Sequence, residues 1–76
     1  MSRSASFTPL AGIKINRKSA EPMHRQLYGE IRAMILSGQL PAGSRLPPTR
    51  TLCDELAISR STVVEAIAQL TAEGYV

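Results

Sequence analysis

Ser59, Arg60, Ser61 and Thr62 are consecutive residues that can all bond phosphate oxygens, because hydroxyls donate and a guanidinium forks onto two oxygens at once. They stand where a helix should begin. Ser59 is a good N-cap, and Val63, Ile67 and Leu70 follow at the spacing of an apolar stripe, with Ala66 beside it. Gly74 supplies the positive φ that commonly ends a helix. Arg60, Ser61, Thr62, Glu65 and Gln69 project from the other side. One face packs and the other reads, which is the layout of a helix-turn-helix recognition helix presenting its positive dipole end to a phosphate backbone. Taken alone, this stretch also fits a Ser-capped amphipathic helix in a protein that never meets nucleic acid, so the remainder of the chain decides.

Other chemistries lack their constellations. Cys53 is the only cysteine, which excludes an intrachain disulfide and a thiolate metal cage, and it has no resolving partner for redox sensing. Its neighbours Leu52 and Leu56 make it a semi-buried small hydrophobe in a reducing compartment. His24 stands without a carboxylate or cysteine cluster, so no metal site is expected, and His24 and Tyr28 read as surface or capping side chains. There is no nucleophile with a base and no glycine-rich phosphate loop, so no catalytic residue is assigned and the chain is not expected to be an enzyme. No apolar run of about 18 residues occurs, and the first twelve residues lack the apolar core of a signal peptide; the expectation is a cytoplasmic protein without membrane contact.

Seventy-six residues make one small domain with a thin core, and 43% hydrophobic content with 4% aromatic and no tryptophan requires that core to be aliphatic. The net charge of +3 is unevenly spread. Residues 1–50 hold all the basic residues except Arg60, against Glu21 and Glu30, whereas residues 51–76 set Arg60 against four acids. A phosphate grip would therefore come mainly from Arg50, Arg45 and Arg60, with the basic N-terminal arm as a further candidate and Glu65 kept off the backbone.

The elements that would position these groups follow in order. Residues 1–21 read as a flexible basic arm, mostly mobile, in which Ile13-Lys14-Ile15 alternates as a brief strand or extended piece would. Pro22 opens a first helix, along which Met23, Leu27, Ile31, Met34 and Ile35 recur at helical spacing until Ser37-Gly38 stops it. Residues 39–50 form a connector of turn formers anchored by Leu40 and Leu46. A short second helix spans about Pro48 to Leu56, with Leu52 and Leu56 inward, and Ala57-Ile58 makes the turn, Ile58 plugging the corner. Residues 22–76 are thus one three-helix unit.

Leu40-Pro41-x-Gly43-x-Arg45-Leu46-Pro47-Pro48-Thr49-Arg50-x-Leu52, then Leu56 to Val63, then Leu70-x-x-Glu73-Gly74-Tyr75, resembles the N-terminal winged helix-turn-helix of the GntR family of bacterial transcription regulators. Leu46-Pro47-Pro48-Thr49-Arg50 and Val63-Val64 are most similar to the MocR branch. The resemblance implies sequence-specific binding of double-stranded DNA, with Arg50 on a phosphate or base edge, Ser59 and Thr62 donating to phosphate, and Arg60 and Ser61 nearest the bases. Two residues depart from it. Val64 stands where many members have a second arginine, and Ala57 where glycine is common, at a cost of roughly 1 to 2 kcal/mol if that position is left-handed. The family's wing would begin near Tyr75 and Val76, so the expected fold is all-α with minor β at most: three helices lacking most or all of the wing. The same resemblance implies a homodimeric parent carrying pyridoxal phosphate in a separate C-terminal domain. This chain, a monomer or weak dimer, would hold no cofactor, since Lys14 and Lys18 both lie in the leader. The alternatives are a winged-helix module that docks proteins, or a truncated fragment without DNA binding.

Overall fold

A computed structural model describes residues 13–41 and 46–76. Three α-helices follow one another, α1 (Met23–Leu36), α2 (Thr49–Leu56) and α3 (Arg60–Ala72), and no strand occurs among the described residues. Helix α3 is the shared element, packing against both α1 and α2.

Each helix starts and stops for a local reason. Pro22 precedes α1 at φ −56°, already suited to a first turn, and its carbonyl accepts from the Arg25 and Gln26 N–H groups at 3.1 Å each. Past its end, Gly38 takes φ +86° and the Leu40 N–H donates to the Met34 carbonyl at 3.0 Å, folding Leu40 back into the core. Pro48 plays the same part before α2. Ser59 caps α3 in extended backbone, its hydroxyl accepting from the Thr62 N–H at 3.2 Å. At the far end Gly74 adopts φ +83°, and the Tyr75 N–H reaches the Leu70 carbonyl at 2.9 Å.

Leu27 and Ile31 of α1, Leu52 of α2, Val63, Ala66 and Leu70 of α3, and Leu40 of the connector are fully buried, with Ile58 wedged between α2 and α3. Burying one such aliphatic side chain stabilises by about 1.5 to 3 kcal/mol. The stripe on α3 runs through Val63, Ala66 and Leu70 rather than through Ile67, which is half-buried. Alanine takes the central place because α3 lies against two helices and a small side chain allows both to approach.

Residues 13–21, read from the sequence as part of a mobile arm, are tied to α1. Ile13 is buried in the core, Ile15 packs against it, and Lys14 between them faces solvent. The Gln26 side chain binds this segment at both ends of its amide: its Oε1 accepts from the Asn16 N–H at 2.8 Å, and its Nε2 donates to the Asn16 carbonyl at 2.9 Å. Ile13 is drawn in because a three-helix unit this small leaves apolar surface between its helices that a neighbouring isoleucine can close. The alternation of Ile13, Lys14 and Ile15 carried that signal, but a strand partner does not exist among the described residues.

Candidate nucleic-acid interface

The turn between α2 and α3 is one residue in a left-handed conformation followed by one buried plug. Ala57 has φ 55° and ψ 45°, so the chain accepts roughly 1 to 2 kcal/mol of strain at a position the sequence identified as costly if left-handed. The Ala57 and Ile58 N–H groups both donate to the Cys53 carbonyl, the second at 3.2 Å, and Ile58 fills the corner. Arg17, from the leading segment, donates its guanidinium to the Ala57 carbonyl.

This turn sets the start of α2 beside the start of α3. Thr49, Arg50, Cys53 and Arg60 line one open cleft of about 440 Å³. Arg50 and Arg60, ten residues apart, therefore share an exposed side, as their positions at two helix starts predict. Among the described residues neither guanidinium has an ion-pair partner, so two unneutralised cations border a concavity that also receives the positive ends of two helices.

Around Ser59 three hydroxyls converge. Ser59 Oγ lies 2.8 Å from Thr62 Oγ1 and 3.3 Å from Ser61 Oγ while accepting the Thr62 N–H. Whichever way the Ser59–Thr62 pair is oriented, one of its two protons is spent inside the pair; the other can donate outward or, when it is the Ser59 proton, to Ser61 Oγ. Ser59 and Ser61 are exposed and Thr62 is half-buried. Arg45 lies outside the described residues.

Two carboxylates on and just past α3, Glu65 and Glu73, are engaged by side chains of α1. Glu65 Oε1 sits 3.6 Å from Nδ1 of His24 on α1. At the other end of α3 the Tyr28 hydroxyl donates to the Glu73 carboxylate, which also accepts from Gln69 Nε2 at 3.3 Å. Hydrogen bonding to Tyr28 holds the Glu73 carboxyl below the usual range, and the same bond raises the Tyr28 phenol above its own. Arg32 Nε donates to the Tyr75 hydroxyl at 3.0 Å with its guanidinium 5.6 Å from that ring's centroid. These contacts fasten the C-terminal end of α3 to α1 and so fix the angle at which its N-terminal end is presented.

Thr49 and Cys53 join the cleft without having been singled out as interface residues. Thr49 is the residue before Arg50, and Cys53 is one turn beyond it, so both follow once Arg50 is taken as outward. The bond from Arg17 to the turn had no sequence signal, since nothing local links positions 40 residues apart.

A family model described as bacterial regulatory proteins, gntR family, matches residues 23–76. The chain is 51% identical over 61 residues to the probable rhizopine catabolism regulatory protein MocR of Rhizobium meliloti, an alignment covering 80% of this chain and 12% of that protein. It is 38% identical over 63 residues to the pyridoxine biosynthesis transcriptional regulator PdxR of Corynebacterium glutamicum, covering 83% of this chain and 14% of that one. Among solved structures, YtrA from Sulfolobus acidocaldarius, a GntR-family transcription factor, superposes with a TM-score of 0.77 at 35% identity, over 82% of this chain and 66% of that one. The chain thus spans a small part of the length of its curated relatives.

Proposed function

The chain belongs to the gntR family of bacterial regulatory proteins as a helix-turn-helix DNA-binding domain, and we propose that it grips the duplex through the cleft between the starts of α2 and α3. Arg50 takes a backbone phosphate from the first turn of α2. Ser59 and Thr62 donate to phosphate at the start of α3, with Arg45 as a further phosphate contact. Arg60 and Ser61, exposed on the first turn of α3, reach base edges in the major groove, where an arginine fork matches guanine. The observation that carries this reading is the pair of unneutralised arginines on one cleft, Arg50 and Arg60.

The whole protein is a MocR-like transcription regulator in this reading, cytoplasmic, and a homodimer that sets two such domains on two half-sites. Its pyridoxal phosphate belongs to a separate domain. The lysines of the described residues offer that cofactor no enclosed site: Lys14 borders an open groove that sets Glu21 and Glu30 against Arg25, and Lys18 is exposed. No helix among the described residues is long and apolar enough to cross a membrane.

Titrating the chain with a mixed-sequence duplex while following backbone amide resonances tests the proposed face. Shifts should concentrate at residues 49–53 and 59–64 and spare the outer face of α1. Shifts centred on α1, with α3 unchanged, would refute it and favour a protein-docking role for the cleft side.

A further inference from the structure

Val64 is a large hydrophobic at a solvent-facing helix position. It is 46% exposed, and the only other exposed large hydrophobic among the described residues is Leu36, at the last position of α1. A β-branched residue in mid-helix loses side-chain freedom against the preceding turn, so neither helix propensity nor the core accounts for its presence. Its position on α3 does suggest a use. At about 100° and 1.5 Å per residue, Val64 lies one turn and about 6 Å beyond Arg60 on nearly the same line. Arg60, Thr71, Val64, Ala68 and Ser61 all fall within an arc of roughly 100° facing away from Val63, Ala66 and Leu70, and all five are exposed.

That row holds no carboxylate. Glu65, the acid adjoining it, lies beside His24 of α1. A surface with one cation at its end and small uncharged side chains along its length can approach the floor of a groove closely, where a carboxylate would be repelled by base acceptors and phosphates alike. Within it, Val64 has neither donor nor acceptor and can gain only by apolar contact. The major groove presents one apolar group, the C5 methyl of thymine.

Resting on the reading of α3 as the groove helix, we infer that Val64 reads the C5 methyl of a thymine, which makes it a specificity-determining residue one turn beyond Arg60. The contact excludes cytosine at that base by the absence of the methyl rather than by any hydrogen bond. Discrimination at this position is correspondingly modest and insensitive to salt, unlike that of the arginines.

The test begins by recovering duplexes that the chain binds selectively from a random-sequence pool at low salt. Each thymine in the recovered site is then replaced singly by uracil, which removes the methyl and leaves every hydrogen-bonding group, and binding is measured for the parent chain, Val64→Ala and Arg60→Ala. One uracil should weaken the parent by about fourfold, the value of one buried methyl-sized group, and should weaken Val64→Ala by less than twofold. Selective binding in which no uracil distinguishes the parent from Val64→Ala overturns the inference while leaving the groove reading intact. Binding that Arg60→Ala leaves unchanged, or no binding to any duplex, overturns the groove reading and the role of Val64 with it. Circular dichroism of Val64→Ala should match the parent, since Val64 is exposed and lies outside the buried core cluster; a loss of helix would assign Val64 to packing instead and overturn the inference.

Discussion

Arg17 and Ala57 are 40 residues apart, and the Arg17 guanidinium donates to the Ala57 carbonyl where α2 turns into α3. The acceptor belongs to the one non-glycine residue among those described with positive φ. A cation at a helix C-terminus interacts favourably with the carbonyls exposed there. The leading segment thereby supports the turn that brings Arg50 and Arg60 together.

Replacing Ala57 by glycine should relieve the left-handed strain, offset in part by the greater freedom glycine gives the unfolded chain, for a net gain of about 0.5 to 1 kcal/mol. Ala57→Val should lose more than that, because a branched side chain tolerates this conformation less well. Arg17→Ala should cost under about 1 kcal/mol, its bond being exposed. Urea denaturation followed by circular dichroism measures all three; a glycine variant less stable than the parent would show that the turn is unstrained.

The docking of the leading segment has its own signature. Ile13→Asp buries a carboxylate in the aliphatic core and should unfold the chain or lower its stability by several kcal/mol, whereas Lys14→Asp one residue later should change it by about 0.5 kcal/mol or less. Thermal denaturation of the two variants separates a packed segment from a free arm, for which both substitutions would be equally harmless.

On α3 the order of core losses follows burial. Leu70→Ala, at a fully buried position, should cost about 2 to 5 kcal/mol, and Ile67→Ala, half-buried, distinctly less. Ser61→Ala should leave stability unchanged and alter only DNA behaviour. Equal losses at Leu70 and Ile67 would mean that the packed stripe is centred elsewhere.

The helix pattern, caps and turn were legible because each has a local cause: Pro22 and Pro48 before helices, Ser59 at a cap, Gly38 and Gly74 past helix ends. The pairing of Arg50 with Arg60 was legible because both stand at helix starts joined by a short turn. The rest depended on contacts between distant parts of the chain. Nothing near Gln26 shows that it will bind Asn16, and the place of Ile67 beside rather than within the stripe depends on how α3 meets two helices at once.

The Tyr28–Glu73 bond makes part of the stability pH-dependent. Glu73 is depressed below its ordinary 4.5, so its contribution is present above that value and is lost as pH falls through the lower folded-state value. Tyr28 is raised above its ordinary 10.0, so its contribution is whole below that value and is lost as pH rises through the higher folded-state one. Urea midpoints measured from pH 3 to 6 should fall more steeply with acid for the parent than for Tyr28→Phe. Parallel curves would mean that the hydroxyl does not stabilise the carboxylate.

The cleft itself is tested most directly by the salt dependence of duplex binding for the parent chain, Arg50→Ala, Arg60→Ala and the double variant, each first shown by circular dichroism to be folded. Arg50→Ala should weaken binding uniformly across sequences and reduce the slope of log affinity against log salt by about one. Arg60→Ala should cost roughly 1 to 3 kcal/mol on the preferred sequence and relax selectivity at one base pair. A double variant that binds the preferred sequence as tightly and as selectively as the parent, with an unchanged salt slope, would contradict the assignment of this cleft to DNA.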